Sequence, residues 1–473
     1  MSGGEDTDAL IESLRDALRD VPMPTEELLR RTGISAATLS RALTRDDGRH
    51  VLRLGKARAT RYARKVAVRA HGASWPLFVV DARGEAREVA MMHRTGERAF
   101  VVEHDARSPA WLSSSWGEDT RGERARDARR SSSSGSSSRW SAFDDLPWYL
   151  QDVRPQGFLG RAILRRQAAS LSLPSDPRVL TSEHTMLLWL AMPALAADLP
   201  GQLVVGEGAR SALTVPERVT RADYPRIARA AMDGDVAGSS AGGEQAKFTA
   251  FVDDGVGARH VIVKFAERSS ENGARWADLL VAEHVAGEVL RAHGIETAES
   301  ALVVDDAWCF LESTRFDRVG ARGRRAVCSL AALDASFHGA RATTWTEAVR
   351  ALKARGLVDD ETVTRVAVAD AFGARIDNAD RHLGNASLFV DDDGALSLTP
   401  VYDMLPMAHA PDAHGVRPFA SSARFVGAES ETSDDVRALA ARAAAGFFSA
   451  IADDGRVSRE MRAFARARVS TGV

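Results

Sequence analysis

The sequence predicts a multi-domain α+β protein, and three observations carry that prediction. Its 473 residues exceed what one ordinary hydrophobic core organises. The first seventy residues join short helical periodicities to a pair of short strands. From about 140 the chain reads as one large mixed unit, strand-rich near 247–315 and mostly helical after about 328. With 45% hydrophobic and 27% charged residues, the composition is that of globular protein, not of a disordered or membrane chain.

In residues 1–72, Leu10, Ile11, Leu14 and Leu18 recur at helical spacing. Pro24-Thr25 before Glu26-Glu27-Leu28-Leu29 opens a second short helix. Ser35, after the Gly33 turn, is placed to cap a third over Ala36 to Leu43. Val51 to Tyr62 gives two short strands about a Gly55-Lys56 turn. Three helices and a β-hairpin predict a winged helix-turn-helix. The net charge of −3 gives no support to a chain that coats nucleic acid along its whole length. DNA contact therefore falls to the local basic residues of this unit, among them Arg41, Arg45, Arg58 and Arg61, with Ser35 and Thr38 facing base edges. The same fold also serves as a protein-contact or dimerisation module.

Residues 73–175 are expected to form a β-rich subdomain interrupted by a disordered insertion at 117–139. That insertion is charged and then serine-dominated from Ser131 to Ser138, too polar to bury a core. Residues 176–318 and 319–473 complete the chain as a strand-rich part and a helical part. Two cysteines, Cys309 and Cys328, allow neither a disulfide framework nor paired zinc spacing, and are expected to pack as small apolar residues in a reducing compartment. No basic segment with an apolar core opens the chain, and Met186 to Ala197 is short and contains Pro193. A cytoplasmic protein without a membrane partner is expected.

The sharpest chemical signal is Asp377-Asn378-Ala379-Asp380-Arg381-His382-Leu383-Gly384-Asn385, followed by Asp403. Phosphoryl transfer from ATP needs one carboxylate beside the attacking hydroxyl. It also needs an amide oxygen and a second carboxylate to hold Mg2+ against the phosphates. Asp380 fits the first role, and Asn385 and Asp403 the second. Alone, an Asp and an Asn five apart recur by chance; the pieces upstream add the weight. Gly238 to Phe248 is a Gly-rich turn containing Gly242 and Gly243, with Lys247 beside it, and it lacks the order of a Walker loop. Arg259 to Phe265 is a strand carrying Lys264 among apolar neighbours, a position that costs several kcal/mol unless an anion pairs with it. Glu283, on the helical stretch Trp276 to Ala292, is the leading partner. Trp308 to Arg318, with Glu312 and Thr314, is a candidate hinge where backbone groups meet adenine, and His382 is placed with the nucleotide-binding residues.

Gly loop, strand Lys, helix Glu, hinge, D-x4-N and Asp, in that order, are the parts of a protein kinase. On these residues, and on Gln151 to Arg161, the chain resembles the HipA family of serine/threonine kinases over nearly its whole length. The likeness is greatest to the YjjJ-type members that carry their own N-terminal winged helix. The resemblance implies a two-lobed kinase-like fold, with Asp380 as the catalytic acid, Asn385 and Asp403 on magnesium, and Lys264 on the phosphates. Tyr402-Asp403-Met404 stands where other kinases have Asp-Phe-Gly. It further implies autophosphorylation of a Gly-loop serine, Ser240 or Ser239, with Ser240 preferred. The partners it implies are a protein substrate such as a translation component, an antitoxin and a DNA operator. Two departures stand out: Ala246 where a proline is expected, and a longer Gly-rich loop. The Asp-Arg-His-x-x-Asn order also fits a lipid or small-molecule kinase, and a nucleotide-sensing transcription regulator is a reading of another class.

Overall fold

The computed structural model describes residues 2–113, 140–232, 245–412, 414–420 and 432–470. The serine-rich insertion at 117–139 and the Gly-loop residues Ser239, Ser240, Gly242 and Gly243 lie outside the described residues. The chain divides into two compact units: residues 1–80, 85–154 and 167–214 in the first, and 81–84, 155–166 and 215–473 in the second.

The first unit opens with α1 (Ser2–Ala17), β1 (Met23–Pro24), α2 (Thr25–Thr32) and α3 (Ala36–Asp46). The hairpin β2 (Val51–Leu54) and β3 (Arg61–Arg64) follows, in a sheet of order β1-β3-β2. Leu14, Leu18, Leu28, Leu39 and Tyr62 close one core among these elements. Ser35 caps α3, its hydroxyl accepting from the Thr38 N–H. At α2 no side chain caps the start, and Pro24, held at φ −63°, supplies the entry dihedral instead. α3 runs three residues past the expected Leu43, because buried Asp46 ties its end to the hairpin by accepting from the N–H groups of His50 and Val51. The other hairpin face, Leu52, Leu54 and Ala63, packs on Val101, Trp140 and Ala142 of a five-stranded antiparallel sheet. That sheet comprises β4 (Ser74–Val80), β5 (Ala86–Arg94), β6 (Phe100–His104), β7 (Trp140–Phe143) and β8 (Leu203–Val205) in the order β7-β6-β5-β4-β8.

The second unit contains α4 (Tyr224–Met232) and a sheet of β9 (Arg218–Val219), β10 (Lys247–Asp253), β11 (Ala258–Glu267), β12 (Ser300–Val304) and β13 (Trp308–Thr314), ordered β12-β13-β11-β10-β9. Side chains alternate across its faces. Val261, Val263, Phe265 and Phe310 turn outward onto Tyr224 and Ala228 of α4. Lys264 and Leu311 turn the other way, toward α5 (Glu271–Ala292). A helical part follows: α6 (Leu330–Phe337), α7 (Trp345–Lys353), α8 (Asp360–Arg375), α9 (Asp434–Asp453) and α10 (Arg459–Ser470). Between α8 and α9 the chain forms β15 (Ser387–Val390) and β16 (Leu396–Leu398), which join β14 (Val327–Ser329) in a small sheet. Both cysteines are buried, and burial pushes the Cys309 thiol up to about 12. Among the described residues no helix is long and apolar enough to cross a membrane.

The first turn of α5 fixes where Glu283 arrives. Ser270 caps it by accepting from the Gly273 N–H, and a Cβ at Gly273 would lie 1.8 Å from the carbonyl oxygen of Glu267 at the end of β11. Only glycine allows strand and helix this close. Gly273→Ala should therefore cost about 1–3 kcal/mol by forced displacement, read as a lower thermal midpoint of the full chain. An unchanged midpoint would show that the turn relaxes freely.

Candidate active site

Lys264, on β11, is buried, with its Nζ 2.7 Å from both carboxylate oxygens of Glu283 on α5 and bonded also to the Asp403 carboxylate. Burial works against the lysine charge, but Asp403 and Glu283 outweigh it and raise its pKa. Glu283 is held high by burial, although Lys264 opposes this. Asp403 goes the other way: against burial, Lys264 and Lys247 hold it down at about 2. Lys247 stands directly opposite Lys264 in the β10–β11 register, which puts both cations on one sheet face. Glu283, Leu311, Ser313, Asp403 and Met404 line a single cavity there.

The loop after α8 brings Asp380 and Asn385 together. The Asn385 Nδ2 donates to the Asp380 carbonyl at 2.8 Å and to its carboxylate at 3.3 Å. Buried Asn378 braces the loop from inside: its Oδ1 accepts from the Asp380 N–H and its Nδ2 donates to the Asp403 carbonyl. Burial is the largest influence raising the Asp380 pKa; His382 opposes it and the Asp403 charge adds to it. Asp380 and Asp403 thus share one electrostatic neighbourhood. The exposed His382 ring lies 3.8 Å from Asp380, and its Nδ1 accepts from the Gly384 N–H. Asp377 and Asp403 both adopt left-handed backbone, at φ 60° and 58°. Such strain clusters where a side chain must be aimed.

Glu312 and Thr314 sit apart from this cluster. By strand alternation they face the outer side of the sheet, where the buried Glu312 carboxylate accepts from Arg221, Arg259 and the Tyr224 hydroxyl. The Thr314 N–H donates to the Glu299 carbonyl. Sequence reasoning passed over Asn378, although it sits within the quoted motif. It also passed over buried Asp370, which accepts from Arg381 and from Thr346. Gly373 was the readable trace of that arrangement: a Cβ there would lie 2.6 Å from Arg381 and 3.0 Å from the Met404 sulfur.

The donor chemistry suits magnesium. Because the Asn385 amide nitrogen is spent on Asp380, its oxygen remains to serve as a hard donor. Hard oxygen donors from one or two side chains, completed by phosphates and water, are what Mg2+ takes. Two cations, Lys264 and Lys247, lie on one sheet face.

Of the N-terminal residues expected to meet DNA, Ser35, Arg41, Arg45 and Arg58 are exposed, and Thr38 and Arg61 are half-buried. The Ser35 and Thr38 hydroxyls are bonded to each other at 2.9 Å.

Comparison with known proteins follows the same lines. Residues 239–470 match the HipA-like C-terminal domain, and residues 71–214 match the middle domain of YjjJ-like toxins. Toxin YjjJ of Escherichia coli K12 is 35% identical over 466 residues, covering 96% of each chain. Among solved structures, a chain of the Shewanella oneidensis MR-1 toxin–antitoxin complex of HipA, HipB and operator DNA aligns with 84% of this chain and 95% of its own, at 13% identity and a TM-score of 0.47. The Helicobacter pylori proinflammatory kinase CtkA aligns with 48% of this chain and 89% of its own, at 11% identity and a TM-score of 0.33. An identity of this level sustained from end to end means that the chain belongs to the HipA-like family, as a YjjJ-type member.

Proposed function

We propose that the protein is an ATP- and Mg2+-dependent serine/threonine protein kinase of the toxin–antitoxin type. The observation that carries this reading is buried Lys264 bridging Glu283 and Asp403, with Asp380 and Asn385 in the loop beside it. A phosphotransferase needs a cation that survives burial, and two carboxylates hold this one charged. Lys264 and Lys247 receive the phosphates. Asn385 and Asp403 hold the magnesium ion, which when bound neutralises charge on the transferring phosphoryl group. Asp380, with its raised proton affinity, orients the acceptor hydroxyl and takes its proton. Ser240, or Ser239, is the serine of the Gly loop that accepts phosphate from the same site. Glu312 shapes the hinge strand from its outer side, and His382 borders the nucleotide. The acceptor is a protein, a component of translation being the leading class, and an antitoxin protein is the expected restraint.

The first unit supplies a DNA-binding module. On α3, Ser40, Arg41, Thr44 and Arg45 are exposed together, and Lys56 and Arg58 are exposed at the hairpin turn. A polar, basic helix face with a basic turn beside it suits phosphates and a major groove. Our working division is a winged helix at 1–72, a β-rich subdomain at 73–175, a strand-rich kinase lobe at 176–318 and a helical lobe at 319–473.

Incubated with γ-labelled ATP and Mg2+, the full chain should label itself, and Asp380→Ala should slow labelling by about 10²–10⁴-fold. Label that survives the substitution would move the active site elsewhere. An unlabelled wild type that binds its operator tightly would instead favour a nucleotide-sensing regulator. The transfer rate should also fall on acidification at a pH above the ~4 of an ordinary aspartate, because Asp380 must be deprotonated and burial lifts its pKa. An acid limb at or below that value would contradict the assigned base. In gel shifts with upstream DNA, Arg41→Ala and Arg58→Ala should each weaken binding and flatten its salt dependence by about one counterion. Full affinity in both would make this module a protein-contact surface.

A further inference from the structure

Asp377 is hard to account for by local structure. It ends the turn after α8 with its carboxylate buried, at φ 60°, a conformation that costs a residue with a Cβ more than it costs glycine. Its carboxylate receives the Arg468 guanidinium at 2.9 Å, from the last turns of α10 and 91 residues further along the chain. The second Arg468 nitrogen donates to the Arg375 carbonyl at 2.7 Å, at the end of α8. Its guanidinium also lies over the Phe448 ring, 4.7 Å from the centroid. His409 Nε2 stands 3.4 Å from the same Asp377 oxygen, and the Ala408 N–H donates to the Asp377 carbonyl. Asp377 thereby joins the loop carrying Asp380 to the segment that follows Asp403.

We propose that Arg468 is a positioning residue for phosphoryl transfer: it clamps Asp377 in left-handed backbone and so sets the loop that presents Asp380 and Asn385. The inference rests on the kinase reading above. The chemistry is selective in what it predicts. Lys264 and Glu283 come from β11 and α5, and Asp403 from the segment after β16, not from the loop that Asp377 opens, so losing the clamp should harm transfer more than nucleotide capture. The guanidinium fork meets a carboxylate and a carbonyl at once, which a lysine cannot reproduce. Where the carboxylate is removed and the left-handed backbone made easy, the cation becomes dispensable.

The test measures labelling from γ-labelled ATP and Mg2+ across ATP concentrations, in the full-length wild type, Arg468→Ala, Arg468→Lys, and Arg468→Ala combined with Asp377→Gly. Amide hydrogen exchange over residues 376–385 is followed in the same proteins. Arg468→Ala should lower the maximal rate about 10–100-fold, leave the half-saturating ATP concentration within about twofold, and speed exchange in that segment. Arg468→Lys should fall between. Adding Asp377→Gly should restore rate and slow exchange, which a general loss of stability would not do in this segment alone. An unchanged Arg468→Ala rate overturns the proposal, as does an equal loss of ATP affinity or a double variant no better than Arg468→Ala. A wild type that transfers no phosphate overturns the kinase reading and this inference with it. An active wild type with an indifferent Arg468 overturns this inference alone.

Discussion

The second unit depends on one buried cation. Lys264 is 19 residues from Glu283 and 139 from Asp403, yet its Nζ meets both carboxylates. A lone ammonium in this setting would lose its charge or expel itself toward solvent. Two carboxylates in contact keep it protonated, and the same contact fixes three elements: the middle strand of the sheet, the long helix and the turn at Asp403. Removing one member of such a buried set typically costs about 3–5 kcal/mol, because it strands the others. The arrangement is thus a constraint on the fold as well as a source of chemistry.

Around that cation the site is aimed by backbone that would not adopt its conformation unaided. Asp377 and Asp403 both take left-handed dihedrals, and neither is glycine. Conformations of this kind cost about 1–3 kcal/mol each and persist only where the surroundings over-determine them. Here the surroundings are Asn378, bonded to both Asp380 and Asp403, and Arg381, anchored on buried Asp370. The Gly373 position lets Arg381 and Met404 approach α8. The loop is therefore braced from within by Asn378 and Arg381, and Asp380 and Asn385 are held against each other.

Glu312 illustrates the limit set by strand alternation. One residue along a strand reverses the face, so a motif that marks the right strand does not mark the right side chain. Glu312 ends in an outer cluster with Arg221, Arg259 and Tyr224, where burial of its carboxylate is outweighed by these donors and its pKa is lowered. Its neighbours Leu311 and Ser313 line the cavity instead. In the first unit the hairpin shows a related division of labour: Leu52, Leu54 and Ala63 are consumed by packing on the next sheet, while its turn keeps Lys56 and Arg58 exposed.

The sequence by itself determined the local elements and singled out the side chains proposed to react. Helical spacing at Leu10 to Leu18, the Ser35 cap, the Lys264 strand, the Glu283 helix and the Asp380–Asn385 spacing are all short-range patterns, and short-range patterns are written in consecutive residues. Beyond the Lys264–Glu283 pair, tertiary structure alone decided which partners those groups would find. Nothing near Asp377 announces Arg468, nothing near Lys264 announces that Asp403 joins Glu283, and nothing near Arg381 announces Asp370. Such pairings depend on how helices and strands distant in the chain pack, and a charge carries no local mark of the partner it will meet once water is excluded.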